Sequence, residues 1–149
     1  MSIEDDVALL ERVPTLRLLG TASLRMLAIG SDQRDLGRGD VLFKAGDEAD
    51  AGYVVQRGSF QILPADGSKH EITAGPGTLL GELALVVAMP RPSSAVALEY
   101  SSVIRIARSL FQRILESDPA AARRLRDEFA GRTSQITSDI MMAGAKLST

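Results

Sequence analysis

The stretch Gly81-Glu82-Leu83-Ala84-Leu85-Val86-Val87-Ala88-Met89-Pro90-Arg91-Pro92-Ser93-Ser94 decides how this chain is read. It opens on a glycine and a carboxylate, passes through an apolar segment, and closes on a proline-flanked arginine and two hydroxyls. Gly77 and Gly81 permit backbone conformations that other residues resist. The apolar run from Leu83 to Val87 predicts a short buried helical turn, stopped by Pro90. The start of such a turn presents backbone N–H groups without intrahelical partners, which suits an anion. Arg91 adds a permanent positive charge with a planar donor fork that matches phosphate oxygens. Glu82 is an acceptor for a sugar hydroxyl. One small ligand carrying a phosphate and a ribose would satisfy all three features.

Working outward, composition sets bounds. The chain has 149 residues, 45% of them hydrophobic and 24% charged, which suits one soluble domain with a sizeable core. Aromatics are only 4% and there is no Trp, so the core is expected to be aliphatic. A formal net charge of -2 gives no global basic field to recruit nucleic acid. There is no cysteine, hence neither a disulfide framework nor thiolate chemistry, as in a protein of a reducing compartment. Glu4, Asp5 and Asp6 at the start do not resemble a secretory leader, and no apolar run approaches the ~20 residues needed to cross a bilayer.

Ile3, Val7 and Leu10 fall at helical spacing and predict a short helix ending before Pro14. A second helix is expected from Thr21, as N-cap, to Ile29, with Gly30 as its stop. Glycines then recur between short apolar runs. Val41–Phe43, Tyr53–Val55, Phe60–Ile62, Ile72, Leu79–Leu80, Val96–Leu98 and Val103–Ile106 read as strands, with Asp66-Gly67-Ser68 as a hairpin turn. This argues for a sandwich or roll. Helix returns after Ala107, with Leu110, Phe111, Ile114 and Leu115 on one face. Asp118-Pro119 reads as the N-cap and first residue of a long final helix. Along it Ala122, Leu125, Phe129, Ile136, Ala143 and Leu147 form an apolar seam, with Gly131 as a weak point.

The stretch 81–94 resembles the phosphate-binding cassette of the cyclic nucleotide-binding domain family, whose pattern is G-E-L-A-L followed, after a short variable segment, by P-R-x-A-T. Further similarity lies in Gly46-Asp47, in Tyr53-Val54-Val55-Gln56-Arg57-Gly58 and in Gly75-Pro76-Gly77, and covers roughly residues 7–143. The resemblance implies a mainly β fold: an eight-stranded, jelly-roll-like β-roll with N-terminal helices, a short phosphate-binding helix and two C-terminal helices. The expectation is a single domain over 1–149, with the roll at about 31–107, the C-terminal helices at about 108–143, and no helix-turn-helix module. Arg91 would pair with the cyclic phosphate, helped by backbone amides at Gly81, Leu83 and Ala84, and Glu82 would hold the ribose 2′-hydroxyl. Pro92, Ser93 and Ser94 depart from the common pattern. Pro92 lacks the N–H that many members donate to the phosphate. The serine hydroxyls could meet the ligand or cap backbone. The resemblance also implies Thr137 near the base and a homodimer through the final helix.

Each residue has a plainer reading. Alone, Arg91 would be a solvated surface group. Glu82 would be a carboxylate favoured by a helix dipole. His70 has no companion for a metal or a triad, and no nucleophile–base pair stands out. Asp5-Asp6 and Asp47-Glu48 read as cap and turn acids. Arg123, Arg124, Arg126 and Arg132 beside Asp127 and Glu128 read as a solvated face. The expectation is a cytoplasmic sensor of a cyclic nucleotide, cyclic AMP before cyclic GMP. It would be no enzyme, with no cofactor or metal, no membrane segment, no nucleic acid and an unknown downstream protein. Two alternatives stay open: a degenerate structural or dimerisation module, and a transcription regulator.

Overall fold

A computed structural model describes residues 2–66, 72–128 and 130. The chain begins with α1 (Ile3–Glu11), whose N-terminus is closed by a capping box. The Ser2 hydroxyl accepts from the Asp5 amide at 3.2 Å, and the Asp5 carboxylate faces the Ser2 amide. A short α2 (Pro14–Arg17) follows, which apolar periodicity did not announce; it begins on a proline, whose missing N–H costs nothing there. In α3 (Thr21–Gly30) the cap is Gly20 and not Thr21. Gly20 has φ of 84°, and its carbonyl accepts from the Leu24 amide at 3.0 Å, so Thr21 is already helical. Gly30 is the last helical residue rather than the stop. A Cβ there would press on the Leu110 side chain at 3.0 Å, so close packing gives this glycine its place.

The strands are β1 (Asp32–Leu36), β2 (Val41–Phe43), β3 (Glu48–Ala49), β4 (Ala51–Arg57), β5 (Phe60–Pro64), β6 (Ile72–Ala74), β7 (Leu79–Leu80), β8 (Met89–Pro90), β9 (Ser93–Ala97) and β10 (Ser101–Ala107). They form two four-stranded antiparallel sheets, in the orders β1-β10-β4-β7 and β2-β9-β5-β6. A two-stranded ribbon, β3-β8, adds to the expected eight. Three strands escaped the sequence reading. β1 is Asp-Gln-Arg-Asp-Leu and only Leu36 is buried, while β3 and β8 are two residues long, so none carries an apolar alternation.

The period of two in β4 and β10 divides the core. Ala51, Tyr53, Val55 and Val103 point into the roll with Phe43, Phe60 and Ala95. Val54, Ile104 and Ile106 point outward beneath Leu10, Leu16, Leu24 and Leu27 of the N-terminal helices. Phe111 and Ile114 of α4 (Arg108–Ser117) join that outer layer. α5 is helical over 119–128. As expected, Asp118 caps it, accepting from the Ala121 amide at 3.2 Å through Oδ1 while Oδ2 accepts from the Ser23 hydroxyl at 3.1 Å. Leu125 of the expected seam, with its neighbour Ala121, is buried in the outer layer of its own chain, and Ala122 is half-buried. Phe129, Gly131, Arg132, Ile136, Thr137, Ala143 and Leu147 lie outside the described residues, as do Gly67, Ser68 and His70.

Candidate functional site

The cassette begins at Gly81, whose φ of 76° and ψ of 41° lie in the left-handed region. A Cβ there would press on Nη1 of Arg91, so glycine is favoured by its left-handed backbone and by the close approach of the guanidinium. Next comes a 3₁₀ turn, Glu82–Leu85, in place of the expected helix. Its carboxyl end is Val86, well before Pro90, which pairs with Glu48 in the β3-β8 ribbon and stops nothing. The apolar run is not uniformly buried. Ala84 and Leu85 face inward, where Leu85 packs over Gly52 of β4, while Leu83 and Val87 are exposed. With three residues per turn, a 3₁₀ segment offers one narrow inward face.

Arg91 is pinned before its side chain begins. Its amide donates to the Asp47 carbonyl at 2.7 Å, and its carbonyl accepts from the Gly46 amide at 2.8 Å. The side chain turns into the molecule and is only 4% exposed. Nη2 donates to the Ala51 carbonyl at 2.7 Å. The guanidinium carbon lies 4.3 Å from the Phe43 ring centroid and 5.6 Å from that of Tyr53, over the face of a stacked pair. Nε and Nη1 are buried and meet no acceptor among the described residues. Burial pulls the guanidinium below its ordinary value, against the opposing pull of Tyr53, Asp50 and Asp47. The carboxylates do not neutralise it by contact. Asp50 is paired with Arg105 at 3.1 Å, and Asp47 accepts from the Lys44 amide at 3.1 Å in its turn.

A cavity of about 230 Å³ lies against this group. It is lined by Gly81 to Ala84, by Arg91 to Ser93, and by Phe43, Ala49 and Met89. Glu82 enters it from the turn, with Oε2 accepting from the Thr15 hydroxyl at 2.9 Å. The Ala84 amide donates to the Gly81 carbonyl at 3.1 Å, closing the turn, and the guanidinium brings two buried, unmet side-chain donors to the cavity. Pro92 is exposed and its carbonyl accepts from the Ala65 amide at 3.0 Å. Ser93 lines the cavity. Ser94 does not, and its hydroxyl accepts from the Ala45 amide at 2.8 Å. The rear of the turn is held from α4. Nη1 of Arg108 donates to the carbonyls of Ala49 (2.8 Å), Val87 (3.1 Å) and Ala84 (3.3 Å).

The structure thus brings together Gly81 to Ala84 and Arg91 to Ser93 around one cavity, and Ser94 stands behind it. Sequence reasoning missed Phe43, Tyr53, Ala49, Met89, Thr15 and Arg108. Phe43 and Tyr53 were visible as strand residues, but their approach to Arg91 depends on how the strands pair. Thr15 and Arg108 carry no local signal.

Fold and site together define a β-roll with a buried cation beside a cavity. The family model described as the cyclic nucleotide-binding domain matches residues 33–118, and the chain belongs to that family. A cAMP-dependent protein kinase regulatory subunit from Eremothecium gossypii is 34% identical over 106 residues, which are 70% of this chain and 23% of that protein. The chain therefore spans about a quarter of that relative's length. The N-terminal domain of a transcriptional regulator from Streptomyces coelicolor A3(2) superposes with a TM-score of 0.78 at 28% identity, covering 87% of this chain and 95% of that one. A cyclic nucleotide-binding-like protein from Brucella abortus gives 0.64 at 37% identity, over 75% and 98%.

Proposed function

We propose that this domain binds a cyclic nucleotide, cyclic AMP before cyclic GMP, and acts as a regulatory sensor. The observation that carries the reading is Arg91: a buried cation with two unmet donors beside a cavity calls for an anion. The cyclic phosphate meets Arg91, and the ribose hydroxyl meets Glu82. The preference for adenine rests on Pro92, which offers no hydroxyl to a guanine directly after the arginine. Occupancy shifts the helices that follow the roll, by as much as the ligand's affinity differs between their positions. Among the described residues no hydrogen-bonded nucleophile–base pair lines the cavity, and the reading is one of binding.

Pro92 also favours a second reading, a module that keeps the fold and has lost tight binding. Isothermal titration with cyclic AMP and cyclic GMP separates the two. The sensor reading expects saturable heat with both and tighter binding of cyclic AMP. No heat and no rise in melting temperature at millimolar ligand establishes the second reading. A transcriptional role, suggested by the Streptomyces relative, would rest on the exposed Arg123 and Arg126 of α5, since Nε of Arg124 is engaged with the Leu18 carbonyl at 2.8 Å. A gel shift at stated salt tests it.

A further inference from the structure

Thr15 ties the N-terminal helices to a side chain of the site. It is the second residue of α2, 3% exposed, between Val13 and Leu16, both buried. Its hydroxyl donates to Oε2 of Glu82 at 2.9 Å, across 67 residues of sequence. A hydroxyl buried this deeply needs a partner, and a carboxylate is a strong one. The effect on Glu82 is larger. A glutamate at the mouth of a cavity has several rotamers, most of them pointing into water. A fixed donor on one oxygen selects the rotamer that lies along the cavity wall. A carboxylate has about four acceptor sites, so the bond to Thr15 does not by itself exclude a ligand hydroxyl.

We propose that Thr15 is a positioning residue for sugar recognition: it holds Glu82 where the carboxylate meets the ribose 2′-hydroxyl. Preference for ribose over 2′-deoxyribose is then set partly by α2, outside the roll. The inference rests on the cyclic nucleotide reading of the same site. It also makes the N-terminal helices part of the binding equilibrium, because displacing α2 removes the donor that orders Glu82. By linkage, a ligand that needs Glu82 in place favours α2 in its docked position.

The test compares affinities for cyclic AMP and 2′-deoxy cyclic AMP in the whole chain, for the parent, Thr15→Val and Thr15→Ser. Valine keeps the shape and removes the donor; serine keeps the donor. The parent should prefer cyclic AMP. In Thr15→Val the affinity for cyclic AMP should fall about tenfold, that of a hydrogen bond to a charged group, with the deoxy analogue nearly unaffected. The ratio collapses and Thr15→Ser restores it. Should Thr15→Val not fold, Thr15→Ala gives the same readout. A variant that keeps the parent's ratio, or weakens both ligands equally, overturns the role of Thr15 and leaves the binding reading standing. A parent that binds neither nucleotide overturns both.

Discussion

At the scale of the residue, Arg91 dominates. Its backbone is fixed by Gly46 and Asp47, its ring contacts by Phe43 and Tyr53, and one nitrogen by the Ala51 carbonyl. Little remains to be ordered when an anion arrives, which lowers the entropic cost of binding. Arg91→Ala is expected to weaken cyclic nucleotide binding on the order of 100-fold or more, since a bound phosphate loses its buried partner. Circular dichroism should show the fold retained, and titration at parent-like affinity would place the ligand elsewhere. Pro92 gives a prediction of opposite sign. Pro92→Ala restores an N–H beside the cavity, and if that donor reaches the phosphate the affinity rises about tenfold. An unchanged or lower affinity in the same titration would mean that this backbone does not face the ligand. Arg91, Glu82 and Gly81 were legible in the sequence because a charge, an acceptor and a flexible backbone at fixed spacing already describe an anion site. Phe43 and Thr15 were not, because cross-strand register and the docking of α2 bring them there.

At the scale of the element, legibility followed apolar patterning. β4 and β10 are buried along nearly their whole lengths and announced themselves; β1, β3 and β8 owe their pairing to neighbours. The short helical turn expected from Leu83-Ala84-Leu85-Val86-Val87 is a 3₁₀ turn, Glu82–Leu85, and the uniform burial that an all-apolar run suggests fails because Leu83 and Val87 are in solvent. The start of α5 was read correctly because Asp-Pro has a local mechanism. Asp118 also ties that start to α3 through Ser23. Asp118→Ala should therefore destabilise the protein by about 1 kcal/mol, the usual loss for a cap. A urea midpoint unchanged from the parent would show that the cap contributes nothing.

At the scale of the whole molecule, the issue is what the final helix covers. Leu125 is 2% exposed within a single chain, so the early part of the apolar seam packs on the helices of its own roll. Pairing of two chains through this helix must then rely mainly on residues beyond Leu125. We expect a homodimer through the later seam, which Ile136→Glu should convert to a monomer in sedimentation at tens of micromolar. A parent that is already a monomer there, with and without cyclic nucleotide, excludes this assembly.

The hold of Arg108 on the cassette bears on how the molecule comes apart. Arg108 is the first residue of α4, and its amide donates to the Asp50 carbonyl at 2.8 Å while its guanidinium grips Ala49, Ala84 and Val87. The turn that forms the pocket cannot loosen without releasing the head of α4, and α4 cannot fray from that end without stripping three carbonyls of their donor. Pocket and helix therefore belong to one cooperative unit of local unfolding. Opening of α4 should loosen the pocket turn, although no residue of α4 lines the cavity.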